Sequence, residues 1–260
     1  MRVTDVGPGS RSARTTVVLV PGLGAPSYVL PTVHALAAAG ARTSLLDVPG
    51  FGAAGPLSCE PTVTSLAAAV VGHLRRLDPA QRVVLFGHST AAIVALRAAL
   101  EVQDAVPLAG VVLAGPVFAP TQRSLPSLAL AASTACRREP LRELRVLNDH
   151  WRGRRSLPAL VRSGLAERPE QLIESLTVPV TLTAGTDDTF APRWWLLQLA
   201  QAASRSVEVQ VAQLPGSHNN PFTHPDAVAR LVMDCGRGST PTPVSDGGRA
   251  VAPRDPTPTA

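Results

Sequence analysis

Three short stretches of this chain carry side chains that could do covalent chemistry together. Gly87-His88-Ser89-Thr90-Ala91 offers a serine. Gly185-Thr186-Asp187-Asp188 offers two adjacent carboxylates, and Leu214-Pro215-Gly216-Ser217-His218 offers a histidine. A serine hydroxyl is a weak nucleophile near neutral pH. It becomes a strong one when an imidazole takes its proton and a carboxylate orients that imidazole. Serine, acid and histidine, in that order, are therefore a set suited to nucleophilic acyl transfer. At this level the acid is open between Asp187 and Asp188. A plainer role for Ser89 is to cap the helix that follows it.

For these groups to meet, the chain must bring three distant loops to one place. Val83-Val84-Leu85-Phe86 reads as a strand buried on both faces and ending at Gly87. An Ala-rich helical run follows, from just after Ser89 to about Leu100. Ser89 thus sits on a sharp strand-to-helix turn. Its hydroxyl is lifted away from the backbone, and the free N–H groups of a helix start lie beside it. Further strands are predicted over 16–20, 42–48, 110–114, 178–184 and 207–212, with a short leading strand over 1–6. Helices are predicted over 27–39, 62–77, 192–203 and 225–235. Strand and helix alternate, which is the signature of a mostly parallel α/β sheet with helices on both faces. Loops beyond the carboxyl ends of such strands gather the active groups. Gly22-Leu23-Gly24, Ser89, the Asp187-Asp188 loop and His218 all lie on such loops.

The alternation breaks between 117 and 177, where no strand is evident and helical segments alternate with prolines. Ten arginines against six acids fall there, most simply as a solvated face. The predicted organisation is a core over 1–116, a helical insertion over 117–177, the rest of the core over 178–235, and a disordered Gly/Pro/Ser/Thr tail over 236–260.

Four motifs together make the chain resemble the α/β-hydrolase superfamily over about Val3 to Asp234. They are Val17-Val18-Leu19-Val20-Pro21-Gly22-Leu23-Gly24, then Asp47-Val48-Pro49-Gly50-Phe51-Gly52, then Gly87-His88-Ser89-Thr90-Ala91, and finally the Gly185…Asp188…Pro192 loop followed by His218. The insertion stands where that family carries a cap. The resemblance implies that Ser89 is the nucleophile, that His218 is its base and later an acid, and that Asp188 orients His218. Asp188 is preferred to Asp187 because the family spacing Gly-x-x-Asp-x-x-x-Pro fits Gly185, Asp188 and Pro192. The N–H groups of Leu23 and Thr90 would form the oxyanion hole. Gly22 and Gly24 would border the substrate. His150 in the insertion is a candidate lining residue. Trp194 is another, although core packing is the simpler role for Trp194 and Trp195. Three departures stand out. Pro21-Gly22 replaces a frequent His-Gly, Ala91 replaces a frequent Gly, and the short N-terminus implies that an outermost strand is missing.

Composition narrows the function further. The net charge is +5 and all 24 basic residues are arginine, yet aromatics make up only 3%. A nucleic-acid surface interleaves basic and aromatic side chains, so none is expected. No apolar run reaches the roughly 20 residues of a membrane span, and the N-terminus lacks the apolar core of a signal peptide. A cytoplasmic protein is expected. Three scattered cysteines give no metal or disulfide spacing, and neither metal nor other cofactor is expected. The leading expectation is a serine hydrolase acting on a small acyl substrate: an ester, lactone or thioester. A cofactor-free haloperoxidase, perhydrolase or C–C hydrolase is the alternative within the fold. A non-catalytic ligand-binding homologue is the alternative outside catalysis. The expected outcome for the acid is that Asp188→Asn loses far more ester turnover than Asp187→Asn. The reverse ranking in steady-state assays would move the assignment.

Overall fold

Residues 2–8, 15–24, 26–47, 59–138, 156–235 and 237 are described by the computed structural model. The loop that includes Pro49, Gly50, Phe51 and Gly52, the candidate His150 and all of the expected tail except Arg237 lie outside the described residues. Seven strands form one sheet: β1 (Arg2–Val6), β2 (Thr15–Val20), β3 (Arg42–Asp47), β4 (Arg82–His88), β5 (Leu108–Ala114), β6 (Val180–Gly185) and β7 (Val209–Leu214). Their order across the sheet is β1-β3-β2-β4-β5-β6-β7. β1 runs antiparallel to β3, and every other pair is parallel.

The helices are α1 (Leu30–Ala38), α2 (Val63–Leu74), α3 (Thr90–Val102), α4 (Leu125–Arg138), α5 (Leu157–Leu165), α6 (Pro169–Leu172), α7 (Arg193–Ala202), α8 (Asn220–Thr223) and α9 (Pro225–Cys235). Alternate side chains of a strand point to opposite faces, and β4 uses both. Val83 and Leu85 enter the core shared with α2, α3 and α7, while Val84 and Phe86 enter the core shared with α1 and α9. A strand buried on both faces has no room for polar alternation. This is why it reads as a continuous apolar run.

β4 runs through Gly87 to His88, beyond the predicted end. Both residues still pair with β5, opposite Leu113 and Ala114. The Ser89 N–H extends the ladder by donating to the Ala114 carbonyl at 2.8 Å. The turn therefore begins at Ser89 itself. α1 starts later than predicted, because residues 27–29 form a turn ahead of Leu30.

Among its described residues the insertion is helical, and it has no core of its own. Phe118, Leu160, Ile173 and Leu176 pack into the same cluster as α2, α3 and α7. Arg97 of α3 grips Glu167 through Nε and Nη2 at 2.7–3.0 Å. Arg123 pairs with Glu170 at 2.5 Å, and its Nε donates to the Phe118 carbonyl. Arg168 donates to three carbonyls at the end of α5. Arg123 is thus a part-buried structural fastener, whereas Arg168 stays exposed, as a solvated face requires, while it binds those carbonyls.

One of the tightest contacts is where β4 passes under α3. A Cβ placed on Gly87 would lie 2.3 Å from the Ala91 carbonyl oxygen and 2.6 Å from the Ala95 Cβ. Neither neighbour can rotate away. Gly87→Ala should therefore destabilise the protein by about 3 kcal/mol, at the upper end of ordinary overpacking costs. Urea unfolding measures this, and a variant as stable as wild type would show that α3 is free to move.

Candidate active site

The elbow between β4 and α3 holds Ser89 at φ 57°, a region that side-chain-bearing residues seldom adopt. Such a conformation costs on the order of 1–3 kcal/mol and persists only where surrounding structure fixes it. Here the β5 hydrogen bond fixes one side and the crowded α3 crossing the other. Ala91 is buried in that crossing, and the elbow forms with alanine at this position.

Two further loops bring their side chains to Ser89. His218 lies after β7, and its Nε2 is 2.9 Å from the Ser89 Oγ. Asp188 lies after β6, and the His218 Nδ1 is 3.0 and 2.9 Å from its two carboxylate oxygens. A carboxylate only accepts, so Nδ1 carries the proton. Nε2 of the neutral ring is then bare and accepts from the serine hydroxyl. All three residues are buried.

Asp187, by contrast, is exposed, and its N–H donates to the Gly216 carbonyl. The structure brings Asp188 to the histidine and leaves Asp187 outside. Burial pushes the Asp188 carboxyl up, but His218 and the N–H groups of Ala191 and Phe190 outweigh it and hold the group below its ordinary value. Asp188 therefore stays ionised beside His218 at neutral pH.

Close backbone approach sets these loops together. A Cβ on Gly115 would lie 3.1 Å from the His218 ring and 3.2 Å from the Asp188 Oδ2. A Cβ on Gly185 would meet the Gly216 and Ser217 carbonyls at 2.2 and 2.3 Å. On the other side of the serine, a Cβ on Gly22 would lie 2.7 Å from the Ser89 Cβ. The turn Gly22–Gly24 is therefore packed directly against Ser89 at Gly22. Leu23 in that turn has φ 44°, a second strained backbone beside the first. Thr90 is the first residue of α3, so its N–H has no acceptor within the helix.

Sequence reasoning did not single out several residues around this cluster. Tyr28, the one tyrosine of the chain, accepts from the Gly22 N–H at 2.9 Å and hydrogen-bonds the His88 Nδ1. The Phe190 ring centroid lies 4.7 Å from that of His218. The sequence placed His88 beside the serine but not its partners. It is fully buried, and its Nε2 donates to the His218 carbonyl at 2.8 Å. Burial and the neighbouring His218 push its pKa down to about 3, so the ring stays neutral. Burial pushes the Tyr28 hydroxyl up, so it stays protonated.

The structure does not bring Trp194 to this cluster. Its side chain is 46% exposed on α7, where it packs beside Trp195. The helix turns Trp195 inward instead, and its Nε1 donates to the Pro116 carbonyl at 2.9 Å. Amphipathic spacing can bury only one of two adjacent tryptophans, and the fold chooses the second. Gly22 and Gly24 bracket Leu23, and Gly22 lies against Ser89. Among the described residues no cluster of His, Cys, Asp and Glu could hold a metal ion, and no helix is long and apolar enough to cross a membrane.

Known proteins agree with this architecture. A search of curated proteins finds no match. Among solved structures, the enol-lactonase of Burkholderia xenovorans LB400 is similar with a TM-score of 0.69 at 20% identity, over 90% of this chain and 95% of that one. An esterase of Thermogutta terrifontis is similar with a TM-score of 0.67 at 19% identity, over 91% and 92%. The thioesterase domain from the curacin biosynthetic pathway is similar with a TM-score of 0.65 at 18% identity, over 89% and 94%. At these identities the likeness is one of fold. The model of the alpha/beta hydrolase family matches residues 17–231, and the chain belongs to that family.

Proposed function

We propose that this protein is a serine hydrolase that cleaves a small ester, lactone or thioester through an acyl-enzyme. One observation carries the reading: the His218 ring is hydrogen-bonded at one nitrogen to Ser89 and at the other to buried Asp188. That geometry leaves Nε2 able to take the hydroxyl proton as Oγ attacks a carbonyl carbon. The negative charge then moves to the carbonyl oxygen, where the N–H groups of Leu23 and Thr90 would receive it. His218 returns the proton to the leaving oxygen, nitrogen or sulfur. An acyl group remains on Ser89. Water then repeats the sequence, giving its proton to His218 and its hydroxide to the acyl carbon. Asp188 keeps its charge throughout and stabilises the imidazolium that forms twice per cycle.

The likeness in fold to an esterase, an enol-lactonase and a thioesterase domain supports the breadth of acyl substrate proposed. A panel of short-chain 4-nitrophenyl esters, lactones and acyl thioesters tests it. Wild type should turn over at least one class. Ser89→Ala and His218→Ala should each lower kcat by about 10⁴-fold or more, and the double variant should lose little beyond either alone, because the two act as a unit. A folded Ser89→Ala variant with wild-type turnover would sink the reading.

A further inference from the structure

We propose that Tyr28 and His88 are positioning residues, forming a hydrogen-bonded brace that fixes the loop carrying Leu23 against the loop carrying His218. The proposal rests on the hydrolase reading above, in which Leu23 and His218 must hold one mutual geometry.

The direction of each hydrogen bond follows from elementary chemistry. The His218 carbonyl can only accept, so the His88 Nε2 donates to it at 2.8 Å. The neutral His88 ring then presents a bare Nδ1, to which the Tyr28 hydroxyl donates its proton. The Tyr28 oxygen in turn accepts from the Gly22 N–H at 2.9 Å. Every donor in this series faces an acceptor, and the other His88 tautomer would set a bare Nε2 against the His218 carbonyl, two acceptors face to face. His218 and Asp188 are the other ionisable groups that act on His88.

The brace joins the turn after β2, the segment before α1, the end of β4 and the loop after β7. It does so without passing through the Ser89 hydroxyl. It also answers a local need. Pro21 has neither an N–H nor a polar side chain with which to hold the Gly22–Gly24 turn. The Gly22 N–H is committed to Tyr28, so it is not free to meet a developing oxyanion. Both Tyr28 and His88 are almost fully buried, so water cannot substitute for either partner. A phenylalanine at 28 would fill the same space, and the hydroxyl is what it would lack.

The test compares wild type with Tyr28→Phe, His88→Gln and His88→Leu, using 4-nitrophenyl acetate as the probe. Tyr28→Phe should fold normally and lower kcat about tenfold or more with little change in KM, the signature of a misplaced rather than a missing group. His88→Gln keeps one donor and one acceptor and should retain more kcat than His88→Leu. A second measurement does not depend on turnover. In ¹⁵N-histidine NMR at pH 5, His88 should be neutral with the proton on Nε2, and Tyr28→Phe should shift its Nδ1 resonance. Unchanged kcat in a folded Tyr28→Phe variant would overturn the proposal, as would a His88 proton on Nδ1. A wild type that turns over no ester, lactone or thioester while showing the expected His88 spectrum would instead overturn the hydrolase reading, and the catalytic purpose of the brace with it.

Discussion

The site depends on how closely β4 passes beneath α3. Gly87 gives up its side chain so that the Ala91 carbonyl and the Ala95 methyl can sit where a Cβ would be. With the strand held there, the chain has one residue in which to turn into the helix. Ser89 makes that turn at positive φ, and its hydroxyl meets the His218 Nε2. The small residues of α3 are therefore no accident of an alanine-rich composition. A larger side chain on the underside of the helix would lift it and relax the turn.

The same economy recurs around the serine. Gly22 and Gly185 each stand where a neighbouring backbone comes too near for a methyl group, and Gly115 holds a positive φ close against the His218 ring. Three loops from distant parts of the chain can then converge within hydrogen-bonding reach. Polar groups hold them once they have met. Asp188 accepts from two backbone N–H groups as well as from His218, so its charge is compensated without water. The His218 backbone is held from below by His88. The result is a buried polar network in which each member is satisfied, the condition under which such networks rigidify a site rather than weaken it.

Much of this was legible in the residues. Val83 to Phe86 announces a doubly buried strand, and the turn that follows it isolates Ser89. The alternation of strand and helix fixes which loops share an edge of the sheet, and so places Asp188 and His218 beside the serine. Choosing Asp188 over Asp187 needed family spacing, because two adjacent carboxylates have the same chemistry and differ only in direction. What escaped was long-range and individual. Tyr28 lies 60 residues from its partner His88, and nothing in a helix or strand period relates them. Its being the single tyrosine, just after a glycine turn, was the only signal. Trp194 and Trp195 are equivalent on paper, and only the rotation of α7 separates them. Element ends shifted where tertiary pairing, such as that of Gly87 and His88 with β5, outlasted the apolar pattern.

The most direct measurement is covalent labelling with a fluorophosphonate probe, followed by mass spectrometry of the digested protein. An activated serine should carry the phosphonyl group on the peptide containing Ser89, and the label should vanish in His218→Ala although that variant keeps the serine. A folded, monodisperse wild type that stays unlabelled at Ser89, or that labels equally well without His218, would contradict the central claim that the fold exists to activate this hydroxyl.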